Sequence, residues 1–212
     1  MGKFLTYLIA GFEGHGGFVM WVLCLLAAAG WAIIIERIYY LMFKCGSRRG
    51  KFVADMYKII KTGDYQRAIK FAYSVDTPLA KVMATILQNK DKGEEAMVKA
   101  VDEVFLTEKP KIARYTGLLF VIANVATLVG LTGTVFGLIM SFDAVANVPV
   151  AQRAQALASG IAVGMTATAF GLFVAIPCLI VQGVLTTVTD RIVEEMEEKS
   201  TKMINTLAGE AK

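Results

Sequence analysis

The sequence predicts an all-α integral membrane protein whose chain crosses the bilayer three times. Two observations carry that reading. The 212-residue chain is 56% hydrophobic and only 19% charged, with a mean hydropathy of +0.56, well to the apolar side of a soluble domain. Its charges are also segregated: no Asp, Glu, Lys or Arg lies between Glu13 and Glu36, between Arg114 and Asp143, or between Arg153 and Asp190. A spanning helix needs about 20 consecutive apolar residues, and each window supplies them.

The elements follow in order. Residues 1–16 read as a short amphipathic segment at the outer face. They do not read as a cleavable signal, because the apolar run is short and is broken by Glu13 and the glycines around His15. The first spanning helix is expected at 17–43. Residues 44–111 form a helical loop, in which Ala68, Phe71, Ala72, Leu79, Val82, Met83 and Ile86 fall at helical spacing and Thr77-Pro78 marks a helix start. Pro110 predicts a kink or a join between helices. The second span covers 112–143, a turn 144–154, the third span 155–189, and a helical tail 190–212. In that tail Ile192, Met196, Met203 and Leu207 make one apolar stripe, which predicts a packed segment over a solvated one. The second and third helices therefore extend beyond the bilayer.

Orientation comes from the basic residues. Between Lys44 and Lys111 there are fourteen Lys and Arg against nine Asp and Glu, and the flanks are basic: Lys44, Arg48, Arg49 and Lys51 on one side, Lys109, Lys111 and Arg114 on the other. The opposite face offers only Lys3 and Arg153. The positive-inside rule then places the N-terminus and the 144–154 turn outside and the loop and tail in the cytoplasm.

Little else in the chain is reactive. Cys24, Cys45 and Cys178 have no metal or disulfide spacing, and His15 has no companion ligand. No metal or cofactor is expected. No span pairs a nucleophile with a base, which argues against an enzyme, and no nucleic-acid partner is expected; the medium is the lipid bilayer.

The second and third spans are unusual in another respect. At 100° per residue, Thr127, Gly130, Thr134, Gly137 and Ser141 share one face of the second span. Gly164, Thr168, Gly171 and Ala175 share a face of the third. The two spans run antiparallel, and Thr134 and Thr168 fall at similar depth, roughly 12–17 Å from the outer turn. Gly133-xxx-Gly137 and Gly160-xxx-Gly164 are also small-xxx-small pairs that let helices approach. For Asn124, Thr132 and Thr166, local bonding or helix glue is the expectation. For Thr134 and Thr168, helix geometry admits both a polar lining and packing. An ion pathway normally carries an ionisable residue in the membrane, and no Asp, Glu, His, Lys or Arg lies from Tyr115 to Phe142 or from Ala154 to Thr189. Either the chain is no ion path, or another protein lends the carboxylate.

"GLTGTVFGLIMSF" (130–142) followed by "SGIAVGMTATAFGLFVAIP" (159–177), with "WAIIIERIYY" (31–40) closing the first span, resembles the core of the ExbB/TolQ/MotA proton-channel family. Three spans resemble its ExbB/TolQ branch. The resemblance implies a pentameric ring whose second and third helices line a pore, with the first helix outside. It implies a partner resembling ExbD or TolR, a single-span protein whose Asp stands in the pore, together with a TonB/TolA-like energy transducer. The family's pore threonines correspond to Thr134 and Thr168. Thr127, Gly130, Gly137, Ser141, Gly164 and Gly171 are candidates for the remaining pore face, Gly130, Gly133 and Gly137 would let the partner helix come close, and Pro177 of the family's "AIP" would kink the third helix. Many relatives have proline at Thr127 and an acidic residue at Val163.

The implied function is a motor subunit of the bacterial inner membrane. It would use the proton motive force to do work on the cell envelope, as in TonB-dependent transport, Tol-Pal function or gliding motility. Sodium is the alternative ion, because the added hydroxyls at Thr127, Thr132 and Thr166 suit a hard cation. A non-conducting helix scaffold is the alternative in kind.

Overall fold

A computed structural model of the chain describes Phe12, residues 17–41 and residues 49–210, all α-helical apart from short connections. The expectations for 1–16, including His15, and for Lys44, Cys45 and Arg48 lie outside the described residues. Seven α-helices are described: α1 Gly17–Tyr40, α2 Arg49–Lys61, α3 Tyr65–Tyr73, α4 Pro78–Gln88, α5 Glu94–Ala113, α6 Thr116–Asn147 and α7 Arg153–Glu210. Single turns of 3₁₀ helix at Lys90–Lys92 and Val150–Gln152 lead into α5 and α7. Three helical stretches are long and apolar enough to cross a membrane: Gly17–Tyr40, Glu94–Asn147 (α5 and α6 in tandem) and Val150–Gly209. The residues group into two compact units, Met1–Ile35 with Tyr115–Gly183 and Glu36–Arg114 with Val184–Lys212.

The second unit follows the physical chemistry of a water-soluble helical domain. Thr77 caps α4, its hydroxyl accepting from Ala80 N at 3.3 Å, and Pro78 occupies the first turn, where its missing N–H costs nothing. Asp64 caps α3 by accepting from Arg67 N at 2.9 Å. Gly63 and Gly93 supply the positive φ (75° and 92°) that the turns before α3 and α5 require. The buried side chains Met97, Val101, Phe105, Glu108 and Ile112 recur every three to four residues along α5. The expected stripe of α7, Ile192, Met196, Met203 and Leu207, is buried too. A Lys109–Glu197 ion pair at 2.6 Å joins α5 to α7.

Pro110 does not mark the join expected there. It lies inside α5, and the helix breaks after Ala113, where Tyr115 takes a left-handed conformation (φ 62°). Arg37 is bonded to the backbone just before this break. This guanidinium is 1% exposed, and its Nη1 donates to the carbonyls of Lys111 and Ile112, both at 3.3 Å. It thereby satisfies acceptors that the end of a helix leaves open. Its other edge pairs with Glu36, Nε to Oε2 at 2.7 Å and Nη2 to Oε1 at 3.0 Å.

In the first unit the closest contacts between helices fall where side chains are missing, beside buried side chains such as Met20, Leu23 and Leu119. A Cβ on Gly30 of α1 would lie 2.9 Å from Cys178 Sγ of α7 and 3.7 Å from Ile122 Cγ2 of α6, so the three spans converge there. Pro177 sits within α7, which continues through it as one helix of 58 residues.

Candidate functional site

Lipid tails are as apolar as leucine, so helices in a bilayer gain nothing from hiding leucines. They associate by close packing, which small residues permit. The seam between α6 and α7 is built this way. A Cβ on Gly137 would stand 2.6 Å from Gly164 Cα; one on Gly171 would stand 2.7 Å from Ala126 O and 3.0 Å from Gly130 Cα. One on Gly130 would meet Ala167 O at 3.1 Å, and one on Gly164 would meet Thr134 Cα at 3.2 Å. These contacts are mostly with backbone, so no rotamer change would relieve them.

Of the expected pore face, Gly130, Gly137, Ser141, Gly164 and Gly171 are therefore buried in this seam, covered by the facing helix of the same chain. Thr127 alone of that group is exposed. Within the chain, α7 makes a close approach at Gly130, Gly133 and Gly137: a Cβ on Gly133 would fall 2.5 Å from Ala167 Cβ. Ser141 turns its hydroxyl to Gly137 O at 2.5 Å.

The seam brings Thr134 and Thr168 together. Thr168 Oγ1 donates to Gly130 O across the helices at 2.8 Å and lies 3.3 Å from Thr134 Oγ1. Thr134 Oγ1 donates to Leu131 O, in its own helix, at 2.5 Å. Each hydroxyl has one proton and two lone pairs. The single Thr168 proton can serve Gly130 O or Thr134 Oγ1, and in either arrangement both oxygens keep a free lone pair, side by side and half-buried at the edge of the seam. Such a pair can receive the O–H of a protonated carboxyl, a hydrated proton or a hard cation. It cannot hold a proton itself, because neither oxygen is basic.

The other hydroxyls do what was expected of them. Thr132 bonds to Leu128 O and Thr166 to Ala162 O, both at 2.8 Å, and Asn124 Nδ2 to Phe120 O at 2.9 Å, each one turn back in its own helix. Thr127 bonds likewise to Ala123 O at 3.0 Å. Sequence reasoning missed Arg37 and Glu108. Glu108 is buried, and burial by itself would push its carboxyl up. Hydrogen bonds from Lys111 Nζ (2.8 Å) and Lys81 Nζ (3.3 Å) outweigh this and hold it below the usual carboxylate range. The signal for Arg37 was available: an arginine paired with a glutamate in the last turns of an otherwise uncharged span.

A sequence model of the MotA/TolQ/ExbB proton channel family matches residues 74–198. An ExbB homolog of Methanothermobacter thermautotrophicus, named as a biopolymer transport protein, is 27% identical over 183 residues, 86% of this chain. The chain spans 63% of that relative's length. A biopolymer transport protein ExbB-like 3 of Synechocystis is 28% identical over 150 residues, 70% of the chain and 71% of the relative. The Tol-Pal system protein TolQ of Pseudomonas aeruginosa is 37% identical over 90 residues, 42% of the chain and 38% of the relative.

Proposed function

The chain belongs to the MotA/TolQ/ExbB proton channel family, a multi-pass membrane protein of its ExbB/TolQ branch, and from that premise we propose that it is the ring-forming subunit of an ion-driven motor. Five copies surround a lumen in the bacterial inner membrane, with α1 outside, the N-terminus periplasmic and the α2–α5 unit cytoplasmic. The stretches 115–142 and 154–189 of the second and third spans carry no Asp, Glu, His, Lys or Arg. A single-span partner of the ExbD/TolR kind therefore brings an aspartate to the lumen.

The observation that carries this reading is the Thr168–Thr134 contact, 3.3 Å between two hydroxyl oxygens that each keep a free lone pair while Thr168 also reaches Gly130 O and Thr134 donates to Leu131 O. Desolvating a carboxylate is expensive, so a partner aspartate moves through an apolar lumen in its neutral form. That form carries an O–H, and an acceptor pair is its complement. The aspartate takes a proton from one side, passes the hydroxyl pair neutral, and releases the proton on the other side. One charge falling through 100 mV yields about 2.3 kcal/mol for turning the partner against the ring. A TonB/TolA-like transducer attached to the partner would carry that work to the envelope, in processes of the biopolymer-transport or Tol-Pal kind for which the relatives are named.

The test is Thr134→Val and Thr168→Val, near-isosteric changes that remove one oxygen each. In vesicles holding the ring and its partner, each should abolish proton flux while leaving assembly intact. Undiminished flux in both variants would remove the hydroxyl pair from the path, and absence of flux in the parent with cellular function intact in both variants would favour the scaffold reading. Equal flux under a sodium gradient with no proton gradient would replace the proton by sodium.

A further inference from the structure

The flank of α6 that carries Thr134 carries a second polar group for which the chain supplies little. Asn124 is exposed, and its Nδ2 donates to Phe120 O at 2.9 Å. A carboxamide has two N–H donors and a carbonyl oxygen. That local bond leaves one N–H and Oδ1 unengaged among the described residues. The neighbours Phe120, Val121, Val125 and Leu128 are exposed and apolar, and the stretch 115–142 contains no charge. Facing lipid tails, the free amide atoms would have no partner.

Its direction can be fixed. A Cβ on Gly133 would lie 3.1 Å from Val19 Cγ1, and Ile122 lies beside Gly30, so α1 covers the Ile122/Gly133 side of α6. Gly130 and Gly137 face α7. At 100° per residue, turning from Gly133 past the α7 side, one meets Thr134 at about 100°, Thr127 at about 120° and Asn124 at about 180°. Asn124 points opposite to α1. It lies ten residues from Thr134, about 15 Å along the helix toward the Thr116 end, with Thr127 between at about 10 Å.

Building on the motor reading, we propose that Asn124 is a second station of the ion path: a lumen-facing carboxamide whose Oδ1 accepts a hydrogen bond from the proton carrier between Thr134 and the cytoplasmic mouth, with Thr127 bridging the gap. The carrier is a hydrated proton or the partner's neutral carboxyl. Oδ1 is an acceptor only, so it passes the carrier on without becoming charged.

The experiment uses the full chain assembled with its partner in proteoliposomes, with Cys24, Cys45 and Cys178 replaced by alanine. Asn124→Cys is compared with Val125→Cys, which is exposed on the other side of α6. The probe is a membrane-impermeant cationic methanethiosulfonate added on the cytoplasmic side. At Asn124→Cys, labelling at least tenfold faster than at Val125→Cys, with flux blocked as labelling proceeds, is the expected result. Asn124→Leu should cut flux at least tenfold, and Asn124→Gln should restore most of it. Equal labelling at both positions, with Asn124→Leu within twofold of the parent, would overturn the inference. So would rapid disulfide cross-linking of Asn124→Cys between copies, which would make Asn124 a subunit contact. If Thr134→Val and Thr168→Val still abolish flux in the same vesicles, Asn124 alone has failed. If they do not, the hydroxyl-pair reading of the path has failed with it.

Discussion

Replacing Gly137 by alanine adds one methyl group where the α6–α7 seam closes on backbone. That carbon would stand 2.6 Å from Gly164 Cα, 2.9 Å from Gly164 N and 3.1 Å from Gly160 O. Carbon pairs rest at about 3.5–4.0 Å, so the shortfall is about 1 Å, and it is against backbone. The helices must part by roughly that distance. Overpacking of this size costs about 1–3 kcal/mol, from which about 1 kcal/mol is returned by alanine's better helix propensity. Gly117→Ala on the same helix is the control, with nothing within 4 Å of its added Cβ; it should be neutral or stabilising by up to about 1 kcal/mol. Thermal unfolding of the two variants in one detergent, followed by the fluorescence of Trp21 and Trp31, measures the difference. Parting the helices also stretches the 3.3 Å Thr168–Thr134 contact, so Gly137→Ala should lose proton flux with both threonines present. If Gly137→Ala unfolds no lower than Gly117→Ala, the seam is not closed as described and the reasoning fails.

Three further outcomes are expected. Tyr57 buries its hydroxyl without a hydrogen-bond partner, and burial pushes its phenol up, outweighing nearby Lys199; Tyr57→Phe should therefore stabilise the protein by about 1 kcal/mol in a melting experiment. Arg37→Met would leave the Lys111 and Ile112 carbonyls without their donor, whereas Glu36, half exposed, can rehydrate; a loss of about 2–3 kcal/mol is expected, with Arg37→Lys recovering only part because it lacks the fork. Glu108 is held below its ordinary range when folded, so its contribution is present above the unfolded carboxylate pKa and is lost as pH falls through the folded one; Glu108→Gln should flatten the acid side of the melting-temperature profile, and an unchanged slope would remove Glu108 from that role.

Much of this was legible in the sequence because segregated charge and helical period are one-dimensional signals. The three spans, the start at Thr77-Pro78 and the buried stripe Ile192–Met196–Met203–Leu207 follow from them. The Thr134–Thr168 pairing was legible because two helices joined by a short turn share a depth scale. Which neighbour a face meets was not. Gly130 and Gly137 look alike whether they face a lumen, a partner or α7, because an absent side chain leaves no chemical mark of its surroundings. The join at Tyr115 was hidden for a related reason. Proline is the local sign of a break, but here the break comes beside carbonyls held by Arg37, seventy-four and seventy-five residues away.

The two units use opposite means, and the site depends on that difference. Outside the spans, bulky side chains such as Met56, Met83, Met97, Met196 and Met203 are buried whole, and the hydrophobic effect rewards each of them. Within the spans that reward is absent; Met20, Leu23 and Leu119 are buried there too, but the closest contacts are reached by deleting side chains. Only this second kind of packing lets a hydroxyl of α7 reach a backbone carbonyl of α6 at 2.8 Å; an ordinary helix pair stands 8–10 Å between axes, with side chains filling the gap. The glycines thus set the separation, the separation brings Thr168 Oγ1 within reach of both Gly130 O and Thr134 Oγ1, and that placement leaves a free lone pair on each hydroxyl oxygen. It follows that small-to-large changes at Gly130, Gly137, Gly164 or Gly171 should reproduce the loss of flux of the threonine variants while lowering stability. The threonine-to-valine changes should lower flux at a smaller cost in stability, Thr168→Val losing its one hydrogen bond across the seam. Flux preserved in a glycine variant of reduced stability would separate the seam from the path and break this chain of dependence at its second link.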